Sequence, residues 1–181
     1  HHRAGLAKQR TFFRDEAAIR IRDSIDYPFE KNFGRIDRVL AYRAMVFDQE
    51  LIRFMRHNPG CTVVELAAGL ETQHERIDDG RVRWLAVDLP ESIRVREQFL
   101  PTTERHKNLA CSALDFAWMN EVDASKGVLV TAAGLLMYLK PSEVRTLVVA
   151  CAERFRGGSM LLDAIPRWLS RQSIRGFRRT L

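Results

Sequence analysis

The chain lacks any apolar run long enough to span a membrane, and its first residues show no leader-peptide pattern, so neither a membrane protein nor an exported one is expected. It is also poor in cysteine. Cys61, Cys111 and Cys151 are odd in number and far apart, which argues against a disulfide framework and fits no metal-ligand spacing. They read as packing residues of a protein in a reducing cytoplasm, with no metal expected. Internal repeats and low-complexity stretches are absent, so nothing points to a solenoid or a polar tail.

What is present is ordinary globular material. The 181 residues are 46% hydrophobic, enough for one domain with a substantial core. The net charge of +6 invites a nucleic-acid reading, but its distribution opposes it. Residues 1–22 carry +4 and residues 167–181 carry +5, which leaves −3 for residues 23–166. Basicity thus belongs to the ends, where solvated arginines explain it, and neither a nucleic acid nor a membrane is expected as partner. His1-His2 reads as a purification-tag remnant and carries no functional argument.

Helical spacing predicts helices over residues 12–26 and 38–56, the second stopped by Asn58-Pro59-Gly60. Strands are predicted at Thr62–Leu66, Val82–Val87, Asn108–Ser112, Gly127–Thr131 and Met160–Ile165. Between them lie helices over Thr72–Ile77, Pro90–Phe99, a short one over Ala117–Val122, and one from Pro141 whose apolar face is Val144, Leu147, Val148, Cys151 and Phe155. Alternating strands and helices predict an α/β fold, a doubly wound and mostly parallel sheet behind N-terminal helices. The expected organisation is a helical segment over 1–60, an α/β core over 61–166 and a basic amphipathic segment over 167–181. A sheet ending at its fifth strand leaves an apolar edge, so further chain beyond residue 181 is expected to complete the fold.

The chemistry concentrates in residues 62–90. An apolar strand delivers an acid, Glu65, to the small-residue turn Ala67-Ala68-Gly69, and a second strand delivers Asp88 about twenty residues later. That is how an open α/β sheet builds a nucleoside pocket, with the second acid placed to accept from ribose hydroxyls. A dinucleotide turn needs a third glycine, and here that position is Thr72. Glu65 and Glu71 flank the turn and would repel a diphosphate, whereas a cationic, phosphate-free cofactor, S-adenosylmethionine, fits. Leu114-Asp115, after the third strand, can frame an adenine. Both Asp88 and Asp115 carry a competing reading as helix caps. His57, His74 and His106 are possible bases by residue type, but an ordinary surface position explains each as well, and no catalytic base is nominated.

ELAAGLETQ, RVRWLAVDLPESIRVREQFLP, ACSALDFAWM, GLLMYL and LLDAIPRWLSR, in this order, resemble the leucine carboxyl methyltransferase family and its bacterial branch of polyketide O-methyltransferases. The resemblance implies a class I methyltransferase fold, S-adenosylmethionine as donor and an oxygen acceptor, often a carboxyl group, on a small molecule of secondary metabolism. By position it places Glu65, Ala67 and Gly69 beside the methionine portion, Asp88 and Leu89 at the ribose, and Leu114 and Asp115 at the adenine. It places Arg43 at the methionine carboxylate and Ala133 where the fourth strand meets the cofactor. Three positions depart from the family pattern: Ala67 for glycine, Gln73 for arginine, and Ala133 for a glutamate or glutamine. They leave room for a catalytically silent binding protein on the same fold, and a protein C-terminal carboxyl methyltransferase is a further alternative.

Overall fold

The computed structural model describes residues 13–28, 31 and 38–164. The basic segment 167–181, the tag-like histidines and the end of the fifth predicted strand lie outside them. Helix α1 spans Glu16–Ser24, capped by Asp15, whose side chain accepts from Ala18 N, and α2 spans Arg38–His57. The core then runs β1 (Thr62–Leu66), α3 (Gln73–Ile77), β2 (Arg83–Asp88), α4 (Pro90–Arg96) and β3 (His106–Ala110). A 3-10 turn at Phe116–Glu121 leads to β4 (Val128–Ala132), and α5 (Pro141–Arg154) leads to β5 (Ser159–Leu162).

All four strand pairings are parallel, in the order β3-β2-β1-β4-β5. β1 and β4 are buried at every position, as central parallel strands covered on both faces should be. One face packs Val64, Leu66, Val87 and Val130 against Trp118, Leu147, Cys151 and Phe155. The other packs Val63, Trp84 and Leu129 against Leu51 and Met55 of α2. The expected α/β class and every expected element inside the described residues are found, with shifted ends. The shift with consequences is in β3, which starts two residues early and so takes His106 into the sheet beside Trp84.

Polar clamps fix the N-terminal helices over the sheet. The buried Arg76 guanidinium on α3 donates to Asp15 (2.8 Å), to both oxygens of Asp48 on α2 (2.8 Å each) and to Thr72 (3.0 Å). Thr72 also donates to Asp15 at 2.9 Å, and Gln73 donates to Asp48 at 2.6 Å. Burial works against the Arg76 charge, but Asp48, Glu71 and Asp15 outweigh it and raise the pKa above the ordinary range. Arg76→Met removes the guanidinium between Asp15 and Asp48, and a loss of about 3–5 kcal/mol is expected in urea unfolding, the usual cost of breaking a buried ion pair.

Candidate functional site

The strand order reverses direction between β1 and β4, and at such a switch point the connections leave a crevice beyond the carboxyl ends of the strands. Here the crevice is a cleft whose empty space, open mouth included, is about 420 Å³. Glu65, Ala67 and Glu71 form its β1 side, Thr131 and Ala133 its β4 side, and Arg43 and Phe47 of α2 its roof. Four residues named from sequence, Arg43, Glu65, Ala67 and Ala133, therefore meet in one place.

Gly69 and Asp88 are joined beside it. Asp88, at the end of β2, accepts from Gly69 N through Oδ2 and from Leu89 N through Oδ1, both at 2.7 Å. The N-cap of α4 is Leu89, so Asp88 is not the helix cap that the sequence also allowed. Asp115 does cap: it accepts from Ala117 N at 3.2 Å and opens the 3-10 turn. Leu89, Leu114 and Asp115 do not line the cleft; they follow β2 and β3 on the same carboxyl edge of the sheet.

The turn itself is unusual. Ala67 has φ 53° and Gly69 φ 48°, so a residue with a side chain occupies the left-handed region where the family pattern has glycine. A Cβ placed on Gly69 would meet nothing within 4 Å, so the turn is open at that point.

Arg96, buried on α4, holds this turn from beneath, and the sequence analysis gave it no role. Its Nη1 donates to the carbonyls of Gly69 (3.0 Å) and Glu71 (2.8 Å), and its Nε to Asn108 Oδ1 (2.9 Å). Nη2 reaches Glu65 Oε2 at 3.4 Å and His106 Nε2 at 3.2 Å. A visible signal was its spacing from Ile93, which puts both on the buried face of α4. The acids at the turn are consequently held by cations, Glu65 by Arg96 and Glu71 by Arg76 at 3.2 Å. Repulsion of a diphosphate is weaker than the sequence suggests; what remains against one is a five-residue α3 with little dipole to offer.

The histidines correct the surface reading. His57 is exposed, but His106 is buried and stacks on His74 with ring centroids 3.8 Å apart. Burial and the nearby Arg96 charge push His74 down to about 4. Burial, His74 and Arg96 push His106 down to about 3. Both rings are neutral near neutrality, which lets His106 accept from Arg96. Cys61 and Cys151 are buried and pushed up to about 11 by that burial, in keeping with packing roles.

The sequence profile of leucine carboxyl methyltransferases matches residues 6–152. The chain belongs to the leucine carboxyl methyltransferase family. Among proteins similar to this family member is the tetracenomycin polyketide synthesis O-methyltransferase TcmP of Streptomyces glaucescens, 27% identical over 160 residues. That alignment covers 87% of this chain and 59% of the relative, so the chain spans little more than half of that protein's length. Among solved structures, the N-methyltransferase NodS from Bradyrhizobium japonicum WM9 aligns with TM-score 0.53 at 16% identity, over 71% of each chain. Magnesium protoporphyrin IX methyltransferase from Synechocystis PCC 6803 aligns with TM-score 0.51 at 10% identity, over 92% of this chain and 77% of that one. These likenesses extend the methyltransferase fold to this member of the leucine carboxyl methyltransferase family.

Two measurements test the site's physics. Ala67→Gly relieves left-handed strain at the cost of a freer unfolded chain, and a net gain of about 1 kcal/mol or less is expected in thermal or urea unfolding. For the histidines, the folded pKa values lie below the unfolded value of about 6.5, so the unfolded chain binds protons first. Their contribution is complete above that value and is lost as pH falls towards 4 and then 3. Urea midpoints at pH 7 and pH 5 should show this loss, and His106→Gln, which keeps an acceptor that does not titrate, should reduce it.

Proposed function

We propose that this chain is the cofactor-binding core of an S-adenosylmethionine-dependent O-methyltransferase whose acceptor is a carboxylate or phenol oxygen of a small, polyketide-like acid of secondary metabolism. The observation that carries the reading is the Asp88 carboxylate, fixed by the backbone of Gly69 and Leu89 on the turn that borders a cleft roofed by Arg43. Each Asp88 oxygen keeps a second lone pair, so the two ribose hydroxyls can donate to an acceptor that is already oriented. Arg43 supplies a guanidinium for the amino-acid carboxylate. The open turn at Gly69 leaves room for the methionine portion, and Leu114 and Asp115 flank the adenine.

When bound, the sulfonium supplies an activated methyl carbon for in-line displacement. The protein's share is alignment of donor and acceptor, worth up to about 7–11 kcal/mol in favourable cases. His57, His74 and His106 all lie outside the cleft, so the described residues place no imidazole base there. That favours a carboxylate acceptor, which is ionised at neutral pH and needs no base, over a phenol. No helix among the described residues is long and apolar enough to cross a membrane. The cytoplasmic setting of the proposal rests instead on the three scattered cysteines.

Calorimetric titration with S-adenosylhomocysteine tests the reading. Binding is expected, and Asp88→Ala should weaken it at least tenfold, since hydrogen bonds to a charged group contribute about 1.5–3 kcal/mol each. Unchanged affinity in that variant removes Asp88 from the site. Binding without methyl transfer to any small acid or phenol would instead indicate a silent relative of the fold.

A further inference from the structure

Asp163, just past the end of β5, lies in the LLDAIPRWLSR block, where its sequence alone gave it no role. Its two oxygens are divided between two elements: Oδ1 accepts from Gly134 N at 2.7 Å, and Oδ2 accepts from Arg43 Nη1 at 2.9 Å. Gly134 begins the turn after β4, next to Ala133 of the cleft wall, while Arg43 descends from α2 on the opposite side. One carboxylate therefore ties the roof of the cleft to its β4 wall.

We propose that Asp163 is a positioning residue that fixes the Arg43 fork for a carboxylate in the cleft; this rests on the S-adenosylmethionine reading above. An unrestrained arginine samples many rotamers, and ordering it on ligand binding costs affinity. The backbone bond from Gly134 sets the Asp163 side chain, and Asp163 in turn sets Nη1. Arg43 makes no other hydrogen bond with a described residue, so most of its five N–H donors remain for a ligand. Gly134 completes the arrangement: with φ 77°, a Cβ there would be strained and would lie 3.1 Å from Arg43 Nη1, so the guanidinium packs directly on the turn.

The test compares two ligands on the full chain by calorimetry: S-adenosylhomocysteine, and its decarboxylated analogue in which the amino-acid portion is a 3-aminopropyl thioether. Asp163→Asn retains an acceptor for Gly134 N but loses the ionic partner of Arg43. It should weaken S-adenosylhomocysteine about tenfold while changing the analogue less than twofold. Arg43→Ala, which leaves the Gly134 bond intact, should produce a selective loss of the same kind, and the double variant should lose little more than Arg43→Ala alone. Equal weakening of both ligands by Asp163→Asn overturns the proposal, because a residue that only braces the turn would act on both. Equal weakening of both by Arg43→Ala also overturns it. A wild-type chain that binds neither ligand overturns the cofactor reading itself, whereas a selective loss in Arg43→Ala with none in Asp163→Asn overturns the Asp163 role alone.

Discussion

The buried Arg96 guanidinium is the constraint on which the site depends. Its donors engage the carbonyls of Gly69 and Glu71, the side chain of Asn108, the Glu65 carboxylate and the ring of His106. These partners lie on β1, the turn that follows it, and β3, so a residue of α4 stitches together two strands and the turn between β1 and α3. Burial weighs against the charge, while Glu65, Glu71 and Asp88 support it. A buried cation is tolerated only when paired and fully hydrogen-bonded, and its carbonyl partners here belong to the cofactor turn. The turn's shape and the charge's solvation are thus one arrangement, and disturbing either disturbs the other.

The same device recurs around the cleft. Arg76, held between Asp15 and Asp48, fixes α1 and α2 over the sheet, and Arg43, held by Asp163, ties α2 to the β4 turn. Each arginine has a carboxylate partner on a different element from its own. Such pairs add little when exposed, but when buried they specify geometry, because a misplaced partner leaves a charge uncompensated. The cleft, lined in part by Phe47, Leu66 and Ala133, is thus framed by crossed ion pairs on the elements around it.

Much of this was legible locally. All five strands were located, four within two residues at each end, while β5 stops at Leu162, three short of the expected Ile165. The central β1 and β4 were plainest, because burial on both faces leaves a continuous apolar run. The strand-end acid Asp88 and the turn at Ala67–Gly69 were found for a similar reason, since the chemistry sits at a fixed distance along the chain. The histidines and arginines were harder. His106 reads as a surface residue beside Lys107 and Arg105, and only its pairing in β3 and its stacking on His74 bury it. Nothing around Arg96, Arg76 or Asp163 marks them as paired, and each has a decisive partner far along the chain: Gly69 lies 27 positions from Arg96, Asp48 lies 28 from Arg76, and Arg43 lies 120 from Asp163.

Sequence by itself determined the α/β class and located the turn after β1 and the strand-end acid opposite it, because hydrophobic period and backbone turn chemistry are local properties. Tertiary structure decided the rest: that Asp88 binds the turn instead of capping α4, that Ala67 takes a left-handed conformation, and that the turn's acids are held by arginines. It also placed Arg43 against Asp163. Those outcomes turn on which charges meet when strands are brought side by side, and no spacing along the chain encodes that meeting.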